Sequence, residues 1–286
     1  MKIPRPADIV TICYQIFIMI TICFHFFSVP NPVLLLGYHL IIIALLLWLP
    51  YAKPNKMVNW LRTFNPLIII PTNFHELHYL VHNVNPVDFD ELLIRIDHAL
   101  FGVHPTVWLE HFSHPVIVEY LQIVYATFYF LPVILVLILC KRKEREGVNF
   151  FIYIIVLGFY ISYMTYFLVP AIGPRFTLNH LQMNPVTGLW ATQAIIDTLN
   201  FLEDIQRDAF PSGHTEMTIL TMIYAWRFSK KYFWVLSIIG SSMIISTVFL
   251  RYHYVIDIIA GALLAYIVYL IADPLYQRLK NWSQKS

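Results

Sequence analysis

The chain has 286 residues, of which 58% are hydrophobic, 16% aromatic and only 13% charged, with a formal net charge of +2. Soluble domains carry about 25% charged residues, so this share, with a mean hydropathy of +0.64, excludes an ordinary soluble domain. So small a net charge argues against a nucleic-acid partner.

A membrane-spanning helix needs about 20 mostly apolar residues. Taken in chain order, such runs are expected over 10–28, 33–51, 63–82, 116–140, 148–170, 214–228, 232–250 and 254–272. The first run is long and lacks a small-residue cleavage site, so it reads as a span and not a cleaved leader. The run at 63–82 is broken by Pro66, Pro71, Asn73, His75, Glu76 and His78, and the run at 214–228 is short. Irregular polar backbone at membrane depth is tolerated where protein or a water-filled cavity surrounds it, so His75, Glu76 and His78 are candidates for lining a substrate pocket. Between the third and fourth runs, 83–115 alternates charged residues with apolar ones at helical spacing and carries Phe101, Trp108 and Phe112. That pattern predicts helices lying in the interface. A long connection at 171–213 holds Asp197, Glu203, Asp204 and Asp208. Cys13, Cys23 and Cys140 all fall in apolar runs and are odd in number, which predicts no disulfide framework.

The distribution of basic residues tests the doubtful spans, because cytoplasmic loops are enriched in Lys and Arg. If all of these runs cross and the N-terminus is cytoplasmic, every one of the 19 basic residues falls inside except Arg95, Arg175, Arg207 and Arg251. Dropping the 63–82 crossing scrambles the pattern. The fold expected is therefore all-α, a polytopic membrane helix bundle of about eight spans. Residues 1–62 form two extra N-terminal spans, 63–272 a six-helix core and 273–286 a basic cytoplasmic tail.

Two polar interruptions face the predicted outer side. In the first, Pro211-Ser212-Gly213-His214, the turn opens a helix whose unpaired N–H groups and positive dipole end suit an anion. The Ser212 hydroxyl adds a donor, Gly213 permits close backbone approach, and His214 points at the same anion. In the second, "RYHYVID", His253 and Asp257 are four residues apart and share a helix face. The carboxylate can accept the imidazole N–H, fix its tautomer and aim the other nitrogen outward as a nucleophile or base. Arg251 and Arg175, the latter in "LVPAIGPRF", bring guanidinium forks to the same side. Ionisable residues at membrane depth are functional hypotheses by default. By residue type alone His214, His253 and Asp257 also match a two-His-one-carboxylate metal site, but that reading leaves the anion-cradling residues without a task.

The order of Arg175 after one span, PSGH opening the next, and His253 with Asp257 opening the last resembles the type 2 phosphatidic acid phosphatase superfamily. Its motifs are K-x-x-x-x-x-x-R-P, P-S-G-H and S-R-x-x-x-x-x-H-x-x-x-D. The resemblance implies that His253 is the nucleophile, Asp257 its orienting acid and His214 the general acid. Arg175, Ser212 and Gly213 would cradle phosphate, with no metal and no cofactor. Leu168 and Phe176 stand where that family has Lys and Pro, and Thr247 where it has Arg, with Arg251 as a candidate replacement. Those departures, with "DHALFGVHP" and "FHELHYL", resemble the inositol-phosphorylceramide-synthase-like branch. The resemblance implies hydrolysis of a lipid or polyprenyl phosphate ester at the non-cytoplasmic face, or head-group transfer to a lipid alcohol by the same residues. A non-catalytic lipid transporter is the alternative from another class; broken helices suit it, but it leaves PSGH and H-x-x-x-D unexplained. The partners expected are a lipid phosphate and the membrane lipids, with no nucleic acid.

Overall fold

A computed structural model describes residues 4–202 and 207–285; Lys2, Glu203 and Asp204 of the charge pattern lie outside them. The described residues contain helices and no strand, as expected for an all-α bundle. In chain order the helices are α1 (Pro6–Phe24), α2 (Pro32–Trp48), α3 (Lys56–Phe64), α4 (Pro66–Val84), α5 (Asp90–Phe101), α6 (Pro105–Trp108) and α7 (Pro115–Ala126). They continue with α8 (Phe130–Lys141), α9 (Arg145–Tyr166), α10 (Pro174–Thr177), α11 (Thr192–Leu202), α12 (Gly213–Phe228), α13 (Lys230–Phe249) and α14 (Val255–Lys285). Proline opens α1, α2, α4, α6, α7 and α10, where its missing N–H would have no intrahelical acceptor in any case.

By length and composition α1, α9, α13 and α14 can each cross a bilayer, and α7 with α8 can do so as one pair bent by 49°. The run expected as one span at 116–140 is therefore broken between Ala126 and Phe130. The other three expected spans are shorter or more polar: α2 has 17 residues, α12 has 16, and α4 contains Pro71.

Contacts at the two ends of the bundle show that these three still run from end to end. At one end, Asn65 at the start of α4 donates to Asp8 of α1, and Arg62 donates to the Leu49 and Ala52 carbonyls after α2. The same end joins Arg142 to the Phe228 carbonyl, Arg227 to Asp273, and Lys280 to Glu146. At the opposite end Phe89 N donates to the Pro170 carbonyl and Asn85 to that of Phe167, and the connection after α9 meets the α13–α14 turn. Arg95, Arg175, Arg207 and Arg251 belong to this second end, and every other described basic residue to the first. The centre of the bundle is α9, whose apolar window is 72% buried and which packs against α1, α4, α8, α12 and α14.

The extra N-terminal helices are joined to the rest by polar contacts at mid-depth. His39 of α2 is fully buried between Gln15 of α1, 2.5 Å from Nδ1, and Glu76 of α4, 2.8 Å from Nε2. Beside them Tyr38 donates to Thr72, and Asn73 donates to Tyr160 of α9. This overturns the expectation for the third run: Glu76 faces α2 and not a substrate pocket, while His75 and His78 are exposed on the bundle's outer surface against Tyr79. The polar breaks in α4 thus serve helix–helix contact, where neighbouring helices supply the hydrogen bonds that lipid cannot.

Removing one partner of a buried hydrogen-bonded couple leaves the other unsatisfied, at about 1–3 kcal/mol, whereas replacing both with apolar residues is far milder. His39→Ala is expected to lower the thermal midpoint in detergent sharply, and His39→Leu with Glu76→Leu to recover most of the loss. A double variant as unstable as the single one would remove the pair from this role.

Candidate active site

The PSGH turn is built by a serine cap. Ser212 Oγ accepts the Thr215 N–H at 3.2 Å and the Thr215 hydroxyl at 3.1 Å, satisfying one of the orphan donors of the α12 start. Ser212 N donates to the Asp257 carbonyl at 3.0 Å, which docks this start onto the first turn of α14. The close approach needs Gly261, where any Cβ would collide with the Ser212 carbonyl. Gly213 has no left-handed backbone conformation; its small size matters because a Cβ there would sit 2.8 Å from the Tyr166 hydroxyl. The N–H groups of Gly213 and His214, as first residues of a helix, have no intrahelical acceptor.

The second interruption is the turn between α13 and α14. The Thr247 carbonyl accepts both Tyr252 N and His253 N, at 2.9 and 3.0 Å. Because α14 begins at Val255, His253 precedes the helix, and the expected sharing of one helical face becomes a capping turn. Asp257 Oδ2 accepts Tyr254 N at 2.8 Å and lies 3.4 Å from His253 Nδ1. A nearer partner for Nδ1 is the Ala209 carbonyl at 2.8 Å. An acceptor carbonyl makes Nδ1 the protonated nitrogen and leaves the Nε2 lone pair free. His253 Nε2 lies 3.4 Å from His214 Nδ1, with ring centroids 5.6 Å apart.

His214 is packed by Phe128 and Tyr125, at centroid distances of 4.4 and 4.9 Å. Both rings come from the broken α7–α8 span, so the break brings aromatic faces to the site. His214 Nε2 is buried and has no hydrogen-bond partner among the described residues.

The two arginines separate. Arg175 lies against the Tyr252 ring, 5.6 Å from its centroid, beside the Phe176 ring, and donates to Asn200 at 2.9 Å. It belongs to the same neighbourhood as Asp208, whose carboxyl burial pushes up to about 6 while His253 and Arg175 pull it down. Arg251 is also buried, but its guanidinium donates to the Asn184 carbonyl at 2.8 Å and lies 3.8 Å from Glu110. The structure does not bring it to the histidine pair; it ties the 182–184 segment down. Of the residues at the positions that depart from the resembled motifs, Leu168 is exposed on the bundle surface, and Thr247 is buried with its hydroxyl on the Ile244 carbonyl.

His214, His253, Asp257, Ser212 and Gly213 thus meet at one end of the bundle with Arg175 close by. Sequence reasoning missed Asp208 as a neighbour of His253, the Ala209 carbonyl as the principal partner of that imidazole, and the Tyr125–Phe128 wall. Only Asp208 left a signal, as an acid just before the PSGH turn. Among the described residues no group of three His, Cys, Asp or Glu side chains is placed to hold a metal ion: Asp257 lies on the Nδ1 side of His253 and His214 faces its Nε2, so the three do not converge as the two-His-one-carboxylate alternative requires.

A family model described as PAP2 superfamily matches residues 91–271, from the first turn of α5 deep into α14. Comparisons with curated proteins and with solved structures returned no match. The matched stretch contains each of the residues just placed at the site and more than half of the chain. The chain belongs to the PAP2 superfamily, and its activity is of the phosphatase or phosphotransferase type, on phosphate esters.

Proposed function

We propose that the protein is an integral membrane lipid phosphatase, acting on a lipid or polyprenyl phosphate ester through a phosphohistidine on His253. The observation that carries this reading is the pair of imidazoles at two docked helix starts, 3.4 Å apart, with His253 Nδ1 held by Ala209 and Asp257. His253 Nε2 attacks phosphorus, and the P–O bond to the lipid breaks. His214 gives its proton to the departing alkoxide. Water then attacks the phosphohistidine, His214 takes a proton from it, and the P–N bond breaks to release phosphate. Arg175 and the N–H groups at the start of α12 hold the phosphate oxygens, as an anion at a helix N-terminus requires; Ser212 fixes that start. An attack distance of about 3–3.5 Å, the breaking bond and a hydrogen bond to the acid together span about 7 Å. Phosphate entry therefore separates the two rings.

A lipid substrate is supported by the site's position at the end of spanning helices. Around that end Trp108, Trp190 and Met183 are exposed, the last two at 81% and 90%, as interfacial anchors are. The gathering of basic residues at the opposite end supports a non-cytoplasmic site with both termini cytoplasmic. Head-group transfer to a lipid alcohol, as in the inositol-phosphorylceramide-synthase-like branch, is the second reading. It is favoured by Leu168, Phe176 and Thr247, which stand in place of the phosphatase motifs' Lys, Pro and Arg. In transfer the donor is a phosphodiester, its lipid alkoxide leaves while the head group stays on the phosphorus bound to His253, and a lipid hydroxyl instead of water then breaks the P–N bond.

With phosphatidic acid in mixed micelles, His253→Ala is expected to abolish both turnover and the acid-labile phosphoenzyme. His214→Ala should lower kcat by about 10²–10⁴-fold, the usual worth of a general acid–base. A His253→Ala enzyme near the wild-type rate would remove the nucleophile assignment, and phosphate release against labelled lipid product separates hydrolysis from transfer. Chelator is expected to leave the rate unchanged; loss of activity on chelation and its return with a divalent ion would favour metal chemistry.

Asp208 sets a pH dependence. Its carboxyl is raised to about 6, so it is neutral below that pH and adds a negative charge beside the phosphate above it. KM should rise as pH climbs through about 6, and Asp208→Asn should flatten that rise. For stability the sign is the same: protonation favours the fold, fully below the ordinary carboxylate value and lost as pH rises through about 6. A KM profile identical in wild type and Asp208→Asn would dismiss this role.

A further inference from the structure

We infer that Asp90 and Asp97, both on α5, are positioning residues of the reaction, one setting the turn that bears Arg175 and the other the turn that bears His253. The inference rests on the phosphohistidine reading above. Neither side chain hydrogen-bonds to His214 or His253; the three phosphatase motifs contain neither aspartate, although Asp97 opens the DHALFGVHP stretch.

Asp97 is buried, and its two carboxylate oxygens accept the N–H groups of Val255 and Ile256, each at 2.8 Å. These are the first two residues of α14, whose leading N–H groups have no acceptor within the helix. A helix usually meets that need with a Ser, Thr, Asp or Asn immediately before it. Here the preceding residues are His253 and Tyr254, so the cap comes from another helix. Asp257 reaches back to Tyr254 N, and the Thr247 carbonyl holds His253 N. Four successive N–H groups, from His253 to Ile256, are therefore held, two of them by Asp97. The backbone that aims the nucleophile has little freedom left.

Asp90 does the same for the other turn. Its oxygens accept Ile172 N at 2.9 Å and Gly173 N at 2.8 Å, and Oδ1 also accepts the Tyr254 hydroxyl at 2.8 Å. Gly173 has φ +90, and a Cβ there would stand 2.8 Å from the Tyr252 carbonyl. The turn leading to Arg175 is thus pressed onto the turn carrying His253, with Asp90 bonded to both. The Tyr254 hydroxyl also meets that of Thr177 at 2.6 Å, closing the contact. One amphipathic helix consequently fixes the spacing between the arginine that binds the phosphoryl group and the imidazole that attacks it.

The test compares wild type with Asp97→Asn, Asp97→Ala and Asp90→Asn on phosphatidic acid in mixed micelles. It reads kcat, KM, the rate of phosphoenzyme formation per folded molecule and the thermal midpoint. Loosening the nucleophile's turn is expected to slow phosphoenzyme formation and kcat together by about 10–100-fold, the scale of an ångström-sized misplacement, with KM within about twofold. Asp97→Asn, which keeps one acceptor oxygen, should fall between wild type and Asp97→Ala. Asp90→Asn should act on KM, because it frees the Arg175 turn. A structural role alone would lower the thermal midpoint and leave the rate per folded molecule unchanged; that result overturns the inference. Wild-type turnover without any phosphoenzyme overturns the phosphohistidine reading beneath it. A wild-type phosphoenzyme formed equally fast by Asp97→Asn overturns the positioning role alone.

Discussion

The site depends on one contact, the docking of the α12 start against the first turn of α14. Ser212 N donates to the Asp257 carbonyl, and Gly261 leaves room for the approach. Helix starts concentrate unpaired N–H groups and a positive dipole end, and placing two of them side by side would ordinarily be unfavourable without an anion or a carboxylate to answer them. Here carboxylates answer part of the need: Asp257 and Asp97 cap α14. The leading N–H groups of the α12 start have no such carboxylate. That asymmetry separates a capped helix start, which follows the His253 turn, from an open one, which carries His214.

Depth in the membrane explains why polar residues elsewhere are paired across helices. Lipid offers no hydrogen bonds, so a polar side chain at mid-depth finds a partner in a neighbouring helix. His39 bridges α1 and α4, Asn73 reaches Tyr160, and Ser162 of α9 donates to Glu216 of α12. Since α9 takes part in two of these contacts and packs on five helices, it links the N-terminal pair to the helix that carries His214.

The spans with strong apolar runs were legible from composition, because crossing a bilayer demands length and hydropathy that any window reveals. The weaker ones, α4 and α12, were legible only through the segregation of basic residues, which reports on connections and not on helices. The break inside 116–140 was not legible. Its residues Thr127, Phe128 and Tyr129 are compatible with a continuous helix, and the bend arises where the chain changes packing partners, α7 lying on α13 and α11 and α8 on α9 and α12. Glu76 shows the converse error. A carboxylate amid proline and histidine reads as pocket lining, but a neighbour thirty-seven residues away in α2 decides its role.

Residue types and their order along the chain were enough to identify His214, His253, Asp257, Ser212 and Gly213 as one constellation, because their chemistry is local: a turn, a helix start and a short spacing. What surrounds them was decided only by folding. Arg251 stands two residues from His253, yet its guanidinium turns to Glu110 and Asn184, since a buried cation goes to the nearest carboxylate and carbonyl that packing supplies. Asp208, the Ala209 carbonyl and the Tyr125–Phe128 wall reach the site from other segments. Such partners depend on which surfaces meet across the bundle, and no periodicity within a single segment encodes that.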